Sequence, residues 1–294
     1  MPVQLTQVFL YPVKSLRGFA VSSARIDDLG LVGDRRFLVV DEAGVFLTQR
    51  SHPIMATIGT ALEANHLRLT CEGFGEIRVS LLQDAGSPVQ TTPVSIWQSP
   101  GLVAEHCGKA VADWLTAILR QPVRLVRTGP AFRRPIPDRK LPAGLRRTTD
   151  AASQAPSNRA VAFPDAYPFM LLSESTLAEL NARLRELGQA AMPMERFRPS
   201  FVLSGTEAYA EDRWGRFSIG GMPFWAGGPC ARCIVTNTDP WTGSRGIEPL
   251  RLLSTYRRDP AQPSRINFGQ NAVHDGNPGQ IRVGDSVELL ESEA

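Results

Sequence analysis

Apolar and polar residues alternate in short runs through the first hundred residues, which is the signature of half-buried strands. Val3 to Val13 is one such run and it stops at a proline. Arg36 to Gln49 reads as a hairpin: Phe-Leu-Val-Val, then Asp-Glu-Ala-Gly, then Val-Phe-Leu-Thr-Gln. The middle segment supplies turn residues between two β-rich arms. Further strands are expected at 66–72, 76–82 and 93–98. Short strands at such regular spacing suggest a barrel or a sandwich.

The period changes near residue 103. Cys107, Val111, Trp114, Leu115 and Ile118 share one face of a 3.6-residue repeat, so a helix is expected from Val103 to Leu119. A second helix is expected over Thr176–Leu187, with Thr176 and Glu179 at capping-box spacing and Leu177, Leu180, Leu184 and Leu187 as its buried stripe. Strand patterns then return at 200–205, 216–220, 222–226 and 280–290. No internal repeat or low-complexity tract interrupts them. The expected class is mostly β with some helices (α+β).

Between the two halves, Arg124–Arg147 carries eight Lys or Arg against one acid, Asp138, and is rich in Pro and Gly. It reads as an irregular connection at a domain boundary. Its charge fits a solvated loop, a docking surface for an acidic redox partner, or an anion-attracting rim. Phe132 is a lone aromatic there, too little for a base-stacking platform.

Composition narrows the function classes. The chain has 294 residues, 43% hydrophobic and 21% charged, with a net charge of +3. It is globular, long enough for a large core, and too near neutrality for a global nucleic-acid case. The N-terminus MPVQLTQVFLYPVKS lacks a basic region followed by a continuous apolar stretch, and no run approaches transmembrane length. No secretory signal and no membrane span are expected. The four cysteines, Cys71, Cys107, Cys230 and Cys233, are too few for a disulfide scaffold. A cytoplasmic, reduced chain is the expectation.

Cys230-Ala-Arg-Cys233 is the first candidate for chemistry. Zinc wants four N or S ligands, and the remaining Cys and the four His (His52, His66, His106, His274) have no close partners in sequence. A dithiol redox pair usually opens a helix, whereas Ile-Val-Thr-Asn-Thr after Cys233 favours a strand. Buried, inert thiols are the third reading. Arg232, between the two, would favour a thiolate, the form that ligates metals. A second set pairs cations with hydroxyls: Lys14 and Ser15, Arg35 and Arg36, Thr48 and Arg50, and Arg198. Such groups hold phosphates, and the start of the Thr176 helix, behind Ser173 and Ser175, offers N–H groups for an anion.

Taken in order, these segments resemble one family. Tyr11-Pro-Val-Lys14-Ser15, Gly33-Asp34-Arg35-Arg36-Phe37 and Phe46-Leu47-Thr48-Gln49-Arg50 resemble elements of the MOSC N-terminal β-barrel domain. Asp165 to Leu177, Arg196-Phe197-Arg198-Pro199, Glu211-Asp212-Arg213-Trp214, Cys230 to Pro240, Phe268-Gly269-Gln270-Asn271 and Ile281 to Asp285 resemble successive MOSC-domain elements. The resemblance spans almost the whole chain. It is to MOSC-domain molybdenum cofactor proteins of the bacterial YcbX type and of the mitochondrial amidoxime-reducing component.

That resemblance implies an N-terminal MOSC-type β-barrel domain over 1–120, a MOSC β-barrel domain over 121–294, and a cofactor between them. It implies molybdenum–molybdopterin without a nucleotide, with the metal ligated by Cys233. Lys14, Ser15, Arg35 and Arg50 match cofactor-binding positions on the N-terminal side. Ser173, Arg198, Thr236 and Asn271 match them on the MOSC side. Ser200 stands where the family often has Asn. The implied reaction is two-electron reduction of N-hydroxylated small molecules, such as amidoximes or N-hydroxylated bases. Electrons would come from a separate protein, a ferredoxin, a flavin reductase or a cytochrome b5-like donor, since no Cys follows Cys233 to hold an iron–sulfur relay. MOSC modules also serve as cofactor or sulfur carriers without reducing a substrate. A degenerate binding protein is a third reading, opposed by the intact Cys233. Oligomeric state is not specified by these features.

Overall fold

The computed structural model describes residues 2–82, 89–146 and 159–292. It is mostly β, with three α-helices among the described residues, as the alternating pattern implied. The larger sheet has eight strands, in spatial order Val287–Ser292, Trp214–Ile219, Met222–Ala231, Asn267–His274, Phe169–Ser173, Phe201–Ser204, Gln4–Leu10 and Phe19–Val21. The first strand of the chain therefore lies in the sheet built mainly by the second half. Together with a three-stranded sheet of Gly279–Arg282, Ser23–Asp27 and Gly30–Leu31, it surrounds a core that includes Leu5, Val8, Ile26, Phe169, Phe201, Phe217 and Phe224.

The helices Glu174–Glu186 and Leu250–Tyr256 cover a second core containing Phe9, Tyr11, Leu180, Phe197 and Phe268. The N-terminal half forms a four-stranded sheet, in the order Phe37–Val40, Arg124–Thr128, Ser99–His106 and Thr91–Ile96. A meander of Gly59–Glu63, His66–Cys71 and Gly75–Ser80 adds a second three-stranded sheet, and the helix Lys109–Leu119, through Leu115, closes this half over Val13, Leu16, Leu67 and Leu69. Among the described residues, no helix is long and apolar enough to cross a membrane.

Several expectations are corrected. The helix expected from Val103 begins at Lys109, because Leu102 to Glu105 pair with Thr91–Ile96 and Cys107 still donates its N–H to Leu125. Gly108, at φ +99°, breaks the strand from the helix. Helix Glu174–Glu186 is capped by Ser173 rather than Thr176, and Leu187 lies past its end, 54% exposed. The 36–49 hairpin keeps its turn, with Asp41 Oδ1 accepting from Ala43 and Val45 N–H groups, but Val40 and Phe46 form only an isolated bridge. Phe37–Val40 pairs instead with Arg124–Thr128. The basic segment thus starts as a strand. The rest of it is irregular but anchored, since Ile136, Leu141 and Leu145 are buried against Val161 and Val273. Arg147 lies outside the described residues. The run at 280–290 is two strands, parted at Gly284 with φ +96°.

Candidate functional site: a cationic cleft around Cys233

A cleft of about 520 Å³ opens where the two halves meet. Lys14, Ser15, Arg35 and Arg50 line it from the N-terminal half; Arg198, Cys230, Arg232, Cys233, Thr236 and Asn271 line it from the other. Of the nine residues that the sequence nominates, eight come together here. Ser173 does not. It is fully buried at 0% exposure, its Oγ accepts from Thr176 N at 3.1 Å, and it donates to Glu211. Ser173 N also donates to Glu211 Oε1 at 3.1 Å. The anion at this helix start is the chain's own carboxylate, so these N–H groups are not available to a ligand. Burial raises the pKa of Glu211, with the hydrogen bonds from Ser173 opposing it.

Cys233 follows the strand Met222–Ala231 and precedes a 3-10 turn, Ile234–Asn237, so the strand expected after it is absent. Thr236 fixes its backbone: both the N–H and Oγ1 of Thr236 reach the Cys233 carbonyl at 3.0 Å. The preceding strand shifts register around Pro229, and Asn271 Nδ2 donates to Gly228 O at 3.0 Å across that irregularity. Such a bulge re-aims the side chains beyond it. Arg232 turns away from Cys233. It donates to Cys230 Sγ at 3.0 Å and to Phe197 O at 2.6 Å. The cation on Cys233 is Arg50, whose Nη2 lies 3.3 Å from Sγ.

Arg50 and Lys14 share the carboxylate of Asp165, Arg50 at 3.0 Å and Lys14 in a close ion pair. Partial burial raises the Asp165 pKa, but Lys14 and Arg50 outweigh it and hold the carboxyl below its ordinary range. Burial pulls Lys14, only 6% exposed, down to about 8, with Asp165 opposing. Arg35 and Arg198 flank Tyr11, their guanidinium carbons 4.7 and 4.3 Å from its ring centroid. Burial lowers Arg198 to about 10. Ser15, Arg35 and Arg198 all hold positive φ (67°, 48°, 54°). Non-glycine residues in that region gather at functional sites, where the surroundings sustain the strain.

Among its described lining residues the cleft carries seven Lys or Arg (Lys14, Arg35, Arg50, Lys140, Arg198, Arg232, Arg265) against two Asp (Asp165, Asp259). This excess suits an anion of more than one charge. A sulfur atom at the same cleft adds a soft ligand. A metal held by sulfur and carried on a phosphate-bearing group fits this donor set.

Residues 3–122 match the MOSC N-terminal beta barrel domain and residues 158–288 match the MOSC domain. Over 297 residues the chain is 35% identical to mitochondrial amidoxime-reducing component 1 of Homo sapiens, covering 97% of this chain and 82% of that one. The chain belongs to the MOSC-domain amidoxime-reducing component family. Another member, mitochondrial amidoxime reducing component 2 of Rattus norvegicus, is 33% identical over 96% of this chain and 82% of its own. Molybdenum cofactor sulfurase of Danio rerio is 31% identical over 92% of this chain, but only 32% of that protein is covered.

Within this MOSC framework, sequence reasoning passed over Asp165, Arg134, Tyr11 and Trp97. Arg134 sits in the basic segment yet is buried, donating to Ala162 O and Pro164 O and, at 3.1 Å, to Asp165 O. It holds the segment that presents Asp165. No cation neighbours Asp165 in its own motif, since Lys14 and Arg50 reach it from distant segments. Arg36 departs from the cluster and pairs with Asp27. Ser200 is buried and bridges strands, donating its N–H to Met170 O at 2.7 Å.

Proposed function

We propose that this chain reduces N-hydroxylated small molecules with a molybdenum–molybdopterin cofactor, without nucleotide, seated in the cationic cleft. The observation that carries the reading is the meeting of Cys233 with Lys14, Arg35, Arg50 and Arg198 in one cleft, from segments far apart in sequence. When bound, the cofactor supplies reversible two-electron chemistry at the metal. Cys233 Sγ would ligate the metal, and Arg50 donates to that sulfur and fixes its position. Arg35 and Arg198 would hold the phosphate, with Tyr11 fixing the spacing of the two guanidiniums. Ser15 and Asn271 line the cleft, and Thr236 fixes Cys233 through its carbonyl.

The net reaction takes two electrons and two protons, breaks the N–O bond, and releases water. Lys14 Nζ, with its pKa near 8, holds a proton that it can surrender close to neutral pH. Electrons come from a separate protein of the ferredoxin, flavin reductase or cytochrome b5-like kind, and the place of action is the cytoplasm. The names of the amidoxime-reducing components support the substrate class. Reduction of benzamidoxime to benzamidine by molybdenum-loaded protein and a reduced viologen dye tests it. Turnover that vanishes in Cys233→Ser is expected; turnover unaffected by that change would refute it.

The likeness to molybdenum cofactor sulfurase favours a second reading, a cofactor or sulfur carrier. A carrier would hand cofactor or sulfur to an acceptor protein and show no benzamidoxime turnover in the same assay.

A further inference from the structure

Trp97 stands beside the cleft in a conformation its own chemistry disfavours. It is the first residue of the two-residue link between Thr91–Ile96 and Ser99–His106, where Ile96 and Ser99 still pair. Its φ is +50°. Hairpin links usually give such a position to Gly, Asn or Asp, and a bulky side chain holds it only under external constraint.

Three contacts supply that constraint. The indole Nε1 donates to Asp165 Oδ1 at 3.0 Å. The Arg50 guanidinium carbon lies 4.7 Å from the ring centroid. Phe46 meets the ring near edge-on, at 5.0 Å and 70°. Phe46 also faces Lys14, whose Nζ is 5.7 Å from its ring centroid. Asp165, Arg50 and Lys14 all line the cleft, and Arg50 reaches Cys233. Despite these contacts Trp97 remains 50% exposed. Trp97 does not itself line the cleft, but it rests on two residues that do, Asp165 and Arg50, and half of its surface stays open.

We propose that Trp97, backed by Phe46, is a specificity-determining residue: its open indole surface stacks the planar aryl or heteroaryl group that carries the N-hydroxylated nitrogen. Planar π systems gain from stacking on an indole, whereas a small alkyl group does not. Aromatic amidoximes and N-hydroxylated bases are therefore preferred to small aliphatic ones. The proposal rests on the reductase reading and adds how the organic part of the substrate is held.

The test uses molybdenum-loaded protein and two probes with the same N-hydroxyamidine head, benzamidoxime and acetamidoxime. In Trp97→Ala, KM for benzamidoxime is expected to rise about tenfold. KM for acetamidoxime and both kcat values are expected to stay within about twofold. Trp97→Phe keeps a ring and is expected to recover most of the benzamidoxime KM. Molybdenum content is expected to match wild type in both variants. Equal KM changes for the two probes, or none, would overturn the proposal and leave Trp97 as a cover over the ion pairs. A second readout needs no turnover: benzamidoxime is expected to quench wild-type tryptophan emission saturably, and Trp97→Phe to remove that quenching. If no N-hydroxylated compound is reduced at all, the reductase reading fails by itself. Quenching then decides on Trp97, upholding an aryl-stacking role if Trp97→Phe abolishes it and ending that role if no quenching occurs.

Discussion

Arg50, and not the Arg232 that separates the two cysteines in sequence, is the cation on Cys233, with Nη2 at 3.3 Å from Sγ and 3.0 Å from Oδ2 of Asp165. The contact joins the two halves of the chain at the atom proposed to hold the metal. Arg232 is committed to Cys230 and to the Phe197 carbonyl.

Arg50→Gln is therefore expected to weaken metal retention about tenfold, in the range found when a group supporting a metal ligand is removed. Its cost in stability is expected to be under about 1 kcal/mol, since Asp165 is half exposed and solvent screens the pair. Metal content after dialysis, measured beside Tm, separates the two effects. Arg232→Gln with the larger loss of metal would contradict the assignment.

Ser173→Ala tests the one nominated residue that lies away from the cleft. Loss of the N-cap is expected to cost about 1 kcal/mol in denaturant unfolding. Molybdenum content is expected to be unchanged, because Ser173 is buried against Glu211 and Thr176. A variant of normal stability that loses metal would restore a cofactor-binding role.

Much of the fold was legible because alternation survives in strands with one buried face, such as His66–Cys71 and Thr91–Ile96. The helix start at Lys109 was not, since Val103 to Cys107 fits a helical period and a strand equally well until its pairing partners are known. Ordered motifs carried the site: Lys14, Arg35, Arg50, Arg198 and Cys233 came from the resemblance, and they meet in space. Ser173 was misplaced because a cap and an anion site use the same residue types. Trp97 and Arg134 were passed over because their importance arises from what they touch, Asp165, at long sequence separation.

Tyr11 is expected to act through its ring alone. Its hydroxyl is buried without a hydrogen-bond partner among the described residues, while the ring lies between Arg35 and Arg198. Tyr11→Phe is expected to leave pyrophosphate binding within about twofold of wild type and not to lower stability, since no hydrogen bond is lost. Tyr11→Leu removes the face between two like charges and is expected to cost about 2–4 kcal/mol, by analogy with large-to-small core changes. It should also weaken pyrophosphate binding measured by calorimetry. Equal behaviour of the two variants would remove the ring from the account.

Lys14 gives the cleft a pH dependence. With its pKa drawn by burial from 10.5 to about 8, it loses its charge as pH rises through that value. Pyrophosphate affinity is expected to fall over the same range, and Lys14→Met to bind weakly with a flat profile. The stability contribution runs the other way. Between about 8 and 10.5 the unfolded chain holds a proton that the native chain lacks, so this contribution rises with pH and is lost as pH falls through about 8. An unchanged pH profile for binding in Lys14→Met would assign the effect to another group.

Molybdenum and pterin content per chain, in protein from molybdate-fed cells, tests the central claim most directly when wild type is set beside Cys230→Ser and Cys233→Ser. Near-stoichiometric metal is expected in wild type and in Cys230→Ser, and loss of metal in a Cys233→Ser variant that keeps its wild-type Tm. Full metal in folded Cys233→Ser would contradict ligation by Cys233 and the reductase built on it.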